Sequence, residues 1–220
     1  MIPVLYSNST TVSTQYSLTS LLGLLPDSVA IRAKRYQRVQ DAYNFVLGRL
    51  LLRQALSKNN LALSYLEAIA YTPVGKPHLP VLYFSISHSQ DWVACAYSTQ
   101  VVVGLDIEVP RPIQKKHFRA SFSQEEWEDI VADEGVHRFY HYWTAKEAVL
   151  KASGLGLGHL LDMTIVDLKA VLLQLPEEQQ TSQWQLQHFS LNGSSAFCCL
   201  CTQYPMDVAA EWMDIGQMLS

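Results

Sequence analysis

Between Val103 and Glu108 the chain alternates: Val103, Leu105 and Ile107 are apolar, with Gly104, Asp106 and Glu108 set between them. Successive side chains on an extended backbone point to opposite faces. This stretch therefore reads as a strand with one buried face and two carboxylates together on the other, about 6–7 Å apart at the backbone. Two such acids repel unless a cation sits between them, which favours Mg²⁺ or a similar oxygen-loving ion. The segment Trp143-Thr144-Ala145-Lys146-Glu147-Ala148-Val149-Leu150-Lys151 supplies the complement. Its Glu147 and Lys151 stand four apart and share one face of a helix. Brought together, the two segments offer three carboxylates to a hard divalent cation and a lysine to whatever phosphate that cation holds.

Each piece also has a plain reading. Asp106 and Glu108 could be an exposed acidic strand end, and Glu147 with Lys151 a helix-face ion pair worth about 0.2–0.5 kcal/mol. Trp143 and Leu150 read as core residues. Lys146 reads as a solvated neighbour of Glu147.

Of the 220 residues, 49% are apolar, ample for a buried core in one large domain or two small ones. Charged residues are only 16% and the net charge is -4, so there is no overall basic field to hold nucleic acid, and phosphate binding has to be local. The start, Met1-Ile2-Pro3-Val4-Leu5-Tyr6, lacks a secretory signal, and no apolar run reaches the roughly 18 residues of a membrane span. The expectation is a soluble cytoplasmic protein with no membrane or nucleic-acid partner. Cys95, Cys198, Cys199 and Cys201 fall in strand-like contexts, where reduced cysteine is a small core hydrophobe; their spacing does not suit zinc.

Periodicity predicts an early strand before residue 25, then helix from Val29 to about Ser57, as one long helix or two joined, capped by Asp27 or Ser28. Strands are expected over Leu66–Tyr71, Val81–Ser87, Trp92–Tyr97 and Val101–Glu108, with turns at 72–77 and at His88-Ser89-Gln90-Asp91. Pro110-Arg111-Pro112 breaks the last strand and places a boundary near residues 99–112. The second half repeats the order: helices over Gln124–Asp133 and His137–Ser153, then strands around Thr164–Val171, Trp184–Phe189 and Ala196–Cys201. Gly154, which with Gly156 and Gly158 follows the second helix, suits a C-terminal cap; the run is not a dinucleotide fingerprint, because it ends a helix instead of opening one. Two α/β halves are expected, residues 1–104 and 105–220.

Gly75-Lys76-Pro77 and Phe84-Ser85-Ile86-Ser87-His88-Ser89 add a lysine, hydroxyls and an imidazole near turns whose amides can meet phosphate oxygens. Arg32, Lys34, Arg35 and Arg38 form a basic run that could be a solvated helix face or could neutralise a phosphorylated ligand.

Taken in order, these two segments, Gly104-Leu105-Asp106-Ile107-Glu108, the helix start Phe122-Ser123-Gln124-Glu125-Glu126 and Trp143 to Lys151 resemble the 4'-phosphopantetheinyl transferases, of the larger, two-half, surfactin-synthetase-activating kind. The resemblance covers most of residues 26–170. It implies an α/β protein of α+β type, a pseudo-twofold pair of similar subdomains with coenzyme A in the cleft between them. It also implies the reaction, in which a serine of an apo acyl or peptidyl carrier protein attacks the β-phosphate of coenzyme A and releases 3',5'-ADP. On this resemblance Asp106, Glu108 and Glu147 bind Mg²⁺, Glu147 accepts the serine proton, and Lys151 holds the pyrophosphate and serves the leaving group. Ser87 and His88 match positions that hold the coenzyme A phosphates, and Lys76 one near the nucleotide. Asn44 stands where the family often has an arginine for the 3'-phosphate, leaving Arg32, Arg35 or Arg38 to take that role. Lys115, Lys116, His117 and Arg119 are candidates for carrier recognition, and a monomer is implied. Two other functions suit the same residues: a metal-dependent coenzyme A or nucleotide pyrophosphohydrolase, and a non-catalytic module that binds coenzyme A or carriers.

Overall fold

The computed structural model describes residues 1–175 and 181–218. Strand β1 (Ile2–Asn8) leads into three short helices, α1 (Ser9–Gln15), α2 (Leu18–Leu22) and α3 (Asp27–Ala33), and then the long α4 (Val39–Lys58). A small hairpin, β2 (Ala70–Tyr71) with β3 (Pro77–His78), precedes β4 (Tyr83–Ser89), β5 (Trp92–Ser98) and β6 (Val103–Glu108). Helices α5 (Gln124–Ala132) and α6 (His137–Ser153) follow, and then β7 (Met163–Val166), β8 (Ala170–Leu173), β9 (Ser182–Phe189), β10 (Phe197–Thr202) and β11 (Val208–Trp212). The class is α/β, α+β in type, and no helix among the described residues is long and apolar enough to cross a membrane.

Two sheets form the frame, one of four strands in the order β11-β1-β5-β4 and one of five in the order β6-β10-β9-β8-β7. Strand alternation explains why each sheet is covered on both faces. In β5, Val93, Cys95 and Tyr97 pack with α4 and the short helices, while Ala94 and Ala96 turn towards the other sheet. In β10, Cys199 and Cys201 pack under α6, while Cys198 and Leu200 meet Ala94, Ala96, Val103, Leu105 and Ile107. The middle layer is thus a shared apolar interface, with α4 outside one sheet and α6 outside the other. All four cysteines are free and buried; burial pushes the Cys95 thiol up to about 12, as befits core residues.

Of the two arrangements expected over residues 29–57, one long helix or two joined, the structure has two, α3 and α4, separated at 34–38. Asp27 does not cap; it is the first residue of α3, and Pro26 occupies the cap position. The strand expected from Leu66 shrinks to Ala70–Tyr71, preceded by a 3₁₀ turn at Leu63–Leu66. His88 and Ser89 belong to β4, so the turn is only Gln90 and Asp91, with Gln90 at φ 51°. What reads as one strand over 164–171 is the β7–β8 hairpin, turned at Asp167 and Leu168, both at positive φ. Strand β11 is absent from the sequence reading. It runs parallel to β1, Ile2 facing Val208 and Tyr6 facing Trp212, so the last strand returns to the first sheet. A division between residues 104 and 105 falls inside β6, whose whole length belongs to the second sheet.

Two contacts fix α6. Gly104 lies against its backbone: a Cβ there would overlap Ala148 O and come within 2.5 Å of Ala152 N. Lys146, expected in solvent, is 0% exposed and pairs with Glu126 at 2.7 Å. Its ammonium also donates to Ser121 O (3.1 Å) and Leu160 O (2.8 Å), so all three protons are used. Glu126 in turn closes the capping box of α5: Ser123 N donates to its carboxylate at 2.9 Å, and Ser123 Oγ accepts from Glu126 N. A lysine survives there because every charge is paired and every donor satisfied.

Gly104→Ala should lower stability by about 3 kcal/mol or more, since the added methyl meets helix backbone that cannot yield; thermal unfolding with an unchanged midpoint would show that α6 can move away. Lys146→Met alone should cost about 3–5 kcal/mol by stranding the Glu126 charge, and Lys146→Met with Glu126→Gln should recover much of that loss. Urea unfolding of both variants checks this, and equal losses would show that packing around the lysine stem, not the charge, dominates.

Candidate active site

Strands β4 and β6 are edge strands of different sheets, and they meet through side chains. The backbone N–H groups of Leu105, Ile107 and Val109 donate to Ser85 Oγ (3.0 Å), Ser87 Oγ (3.3 Å) and Ser89 Oγ (3.0 Å). Three serines at alternate positions therefore take the part of a neighbouring strand's carbonyls and satisfy the open edge of β6. The hydroxyl protons then face the functional side of β6. Ser87 Oγ donates to Asp106 Oδ1 at 2.8 Å, and Ser89 Oγ donates to Glu108 Oε2 at 2.8 Å. Opposite Ser85 stands Gly104, where α6 passes.

Because Gly104 lets the helix approach, Lys151 reaches Asp106. Its Nζ is 2.6 Å from Asp106 Oδ1 and 2.9 Å from Ser87 Oγ. Asp106 is 4% exposed, and while Oδ1 takes two hydrogen bonds, Oδ2 is buried without a partner. Glu147 lies one turn before Lys151. Burial raises its carboxyl above the ordinary range; the Lys151 charge opposes the rise, and the Asp106 and Glu108 charges add to it. Glu108 is likewise raised by burial, with the Ser89 hydrogen bond acting against it and Asp106 adding to it. The Asp106 charge thus works against the charge of both Glu108 and Glu147, the electrostatic setting a cation relieves. Among the described residues no three His, Cys, Asp or Glu side chains form a ready-made metal cage. The donor set is nevertheless of the hard-oxygen kind, and the orphaned Asp106 Oδ2 is an acceptor such a cation would satisfy.

A cleft of about 460 Å³ opens beside this cluster, lined by Gly75, Lys76, Phe84, Ser85, Glu147 and Lys151 among others. It therefore draws on the β2–β3 hairpin, on β4 and on α6. Lys76 Nζ donates to Ala152 O (2.8 Å) in the last turn of α6, and burial lowers its pKa. Lys76 is thus a cation at the negative end of a helix dipole as well as part of the cleft wall. Ser87 is buried and its hydroxyl is saturated: it donates to Asp106 and accepts from Ile107 and Lys151. His88 is exposed as a residue, and desolvation by its surroundings and then the Lys151 charge lower its pKa, with the Asp41 and Asp106 charges acting against the shift.

Asp106, Glu108, Glu147, Lys151, Ser87 and Lys76 are brought together, while the arginines stand apart. Arg32 stacks its guanidinium over Tyr71 (4.7 Å) and Phe45 (5.4 Å), and with Arg35 it lines a separate hollow beside Ser28, Ile31 and Tyr36. Asn44 is 3% exposed and serves structure: it accepts from Ser9 Oγ and donates to Gln90 O at 2.7 Å. In the basic run, Lys115 donates to Ile130 O and Asp133 O at the end of α5. Arg119 donates to Phe122 O and Gln124 Oε1, leaving Lys116 and His117 as the exposed members. Unforeseen in the sequence are the roles of Ser85 and Ser89 and the burial of Arg49, which bonds Tyr71 Oη at 3.3 Å. The alternation Ser-x-Ser-x-Ser was the available signal for the serines.

The chain is similar in sequence to known proteins. Residues 102–209 match the model of the 4'-phosphopantetheinyl transferase superfamily. The chain is 31% identical over 189 residues to the 4'-phosphopantetheinyl transferase Sfp of Bacillus subtilis, covering 80% of this chain and 83% of that protein. It is 32% identical over 197 residues to 4'-phosphopantetheinyl transferase AcpT of Salmonella typhimurium, covering 86% and 90%, and 31% identical over 193 residues to 4'-phosphopantetheinyl transferase psf-1 of Bacillus pumilus, covering 83% and 80%. With relatives at this identity aligned over most of both chains, and with both segments of the carboxylate–lysine cluster inside the matched region, the chain belongs to the 4'-phosphopantetheinyl transferase superfamily, in its Sfp-type branch.

Proposed function

We propose that this enzyme takes its phosphopantetheine group from coenzyme A and transfers it to a serine of an apo acyl or peptidyl carrier protein, with Mg²⁺ and with release of 3',5'-ADP. The observation that carries the reading is the cluster of Asp106, Glu147 and Lys151 beside a cleft whose wall also holds Lys76. Asp106, Glu108 and Glu147 would hold the divalent ion, and the ion, when bound, offsets the negative charge of the pyrophosphate. A serine hydroxyl of the carrier attacks the β-phosphorus, a new P–O bond forms, and the bond from that phosphorus to the bridging oxygen breaks. The serine proton goes to Glu147, whose raised pKa brings it nearer the range useful for a base. Lys151 pairs with the pyrophosphate and gives its charge or a proton to the departing oxygen. Lys76, Ser87 and His88 border the phosphates and the nucleotide, Ser87 acting through the Asp106 and Lys151 bonds it already makes. The two sheets, each with its long helix, correspond to the two halves of a pseudo-twofold enzyme. One chain supplies both walls of the cleft, so it acts as a monomer.

Incubation with coenzyme A, Mg²⁺ and either an apo acyl carrier protein or an apo peptidyl carrier domain should add the mass of one phosphopantetheine to a carrier, as read by intact-protein mass spectrometry. Asp106→Asn, or chelation of the metal, should abolish the gain, and Lys151→Met should cut kcat by about 100- to 1000-fold, as for loss of one charge-stabilising group. Coenzyme A cleaved with no mass gain on either carrier would instead identify a pyrophosphohydrolase; binding without turnover would identify a non-catalytic module. If Arg32 meets the 3'-phosphate, Arg32→Ala should raise KM for coenzyme A more than for dephospho-coenzyme A. An equal rise for both would remove that role.

A further inference from the structure

Ser89 lies outside the cleft wall, yet its hydroxyl is held on both its accepting and its donating side next to the acidic pair. Its Oγ accepts from Val109 N at 3.0 Å, so one lone pair is engaged, and its single proton goes to Glu108 Oε2 at 2.8 Å. The rung below repeats the arrangement with Ser87 and Asp106, but there the carboxylate is also held by Lys151. Among the described residues Glu108 has Ser89 as its one hydrogen-bonding side chain.

Ser89 is itself held. It ends β4 beside the turn at Gln90 and Asp91, and that turn is pinned from α4 and α1. Asn44 Nδ2 donates to Gln90 O (2.7 Å), Gln40 Nε2 to Asp91 Oδ1 (2.8 Å) and Ser9 N to Asp91 O (2.7 Å). Asn44 is 3% exposed, so this anchor is a buried amide with both ends satisfied. An unbroken line of contacts runs from the N-terminal helices through the turn and the Ser89 hydroxyl to Glu108. The neighbouring Asp106 Oδ2 is buried and unpartnered, an acceptor of the kind a hard cation would satisfy.

We propose that Ser89 is the positioning residue of Glu108: its hydroxyl fixes the rotamer of that carboxylate, leaving Oε1 to face the divalent cation alongside Asp106. This rests on the reading of Glu108 as a metal ligand given above. Hydrogen-bonded partners of ligating carboxylates govern metal affinity at the level of about 10- to 100-fold.

The test is Mn²⁺ binding followed by electron paramagnetic resonance, with coenzyme A present and carrier absent so that no turnover occurs. It compares the wild type with Ser89→Ala, Ser89→Cys, Ser89→Thr and Glu108→Gln. Ser89→Ala and Ser89→Cys should each weaken Mn²⁺ by about tenfold. Ser89→Thr, which keeps the hydroxyl, should bind as the wild type does, and Glu108→Gln should weaken binding at least as much as Ser89→Ala. The cysteine keeps the side-chain size, so it answers the question if the alanine variant fails to fold. Wild-type affinity in Ser89→Cys together with weakened binding in Glu108→Gln would overturn the inference and leave the metal reading standing. Weakening that Ser89→Thr does not restore would also overturn it. Undiminished binding in Glu108→Gln would overturn the metal reading itself.

Discussion

The rest of the molecule depends on how two open sheet edges meet. An edge strand presents unpaired N–H groups, and leaving one buried without a partner costs about 1–3 kcal/mol. Here Ser85, Ser87 and Ser89 accept from Leu105, Ile107 and Val109 in step, fixing β4 against β6 in a parallel register without a backbone ladder. A backbone ladder would satisfy the same groups but would spend the carbonyls and offer nothing further. A hydroxyl accepts and donates at once. Having taken the strand's N–H, Ser87 and Ser89 still have a proton for Asp106 and Glu108. The joint between the sheets and the orientation of the acidic pair are therefore one set of bonds.

The second dependence is steric. Asp106 and Lys151 meet at 2.6 Å because α6 lies directly on β6, and it can do so because residue 104 has no side chain. The helix is held in that place from its other flank by the Lys146–Glu126 pair, which also closes the start of α5. A buried ion pair is poor evidence of stability for its own sake, since desolvation offsets most of the attraction. Its value here is directional. It fixes the rotation of α6 about its axis, and that rotation decides whether Glu147 and Lys151 face Asp106 or miss it.

What was legible in the sequence was what local periodicity encodes. The alternation in Val103–Glu108 and the spacing of Glu147 and Lys151 each specify a face: Leu105 and Ile107 lie in the core as read, and α6 spans the expected His137–Ser153, while β6 starts at Val103, two residues later than expected. Strand β11 was not legible: its partner β1 lies some two hundred residues earlier, and Val208–Trp212 carries no alternation strong enough to announce a strand alone. The β7–β8 hairpin merged into one strand because its turn uses Asp167 and Leu168 at positive φ, where glycine would have marked it. Lys146 read as solvated because its partner, Glu126, lies twenty residues earlier on another helix, and only tertiary packing makes the pair buried. The edge-pairing role of Ser85 and Ser89 was missed for a different reason. Polar residues at alternate positions look the same whether their face meets water or another strand's edge.

Asn44 draws these threads together. By resemblance alone it is a departure, a position where an arginine was expected to meet a phosphate. In the structure it is a buried amide spent on Gln90 O and Ser9 Oγ, and an arginine could not make both bonds, because it has no acceptor. Asn44 therefore gives rigidity to the turn that ends β4. Arg32 is free to sit elsewhere, stacked on Tyr71 and Phe45 at the rim formed by α3 and the β2–β3 hairpin. Carboxylate orientation is then supplied by a buried network to which Arg32 does not belong. Such a network suits transfer chemistry in general, because groups that face a reacting centre gain most from being fixed before the ligand arrives.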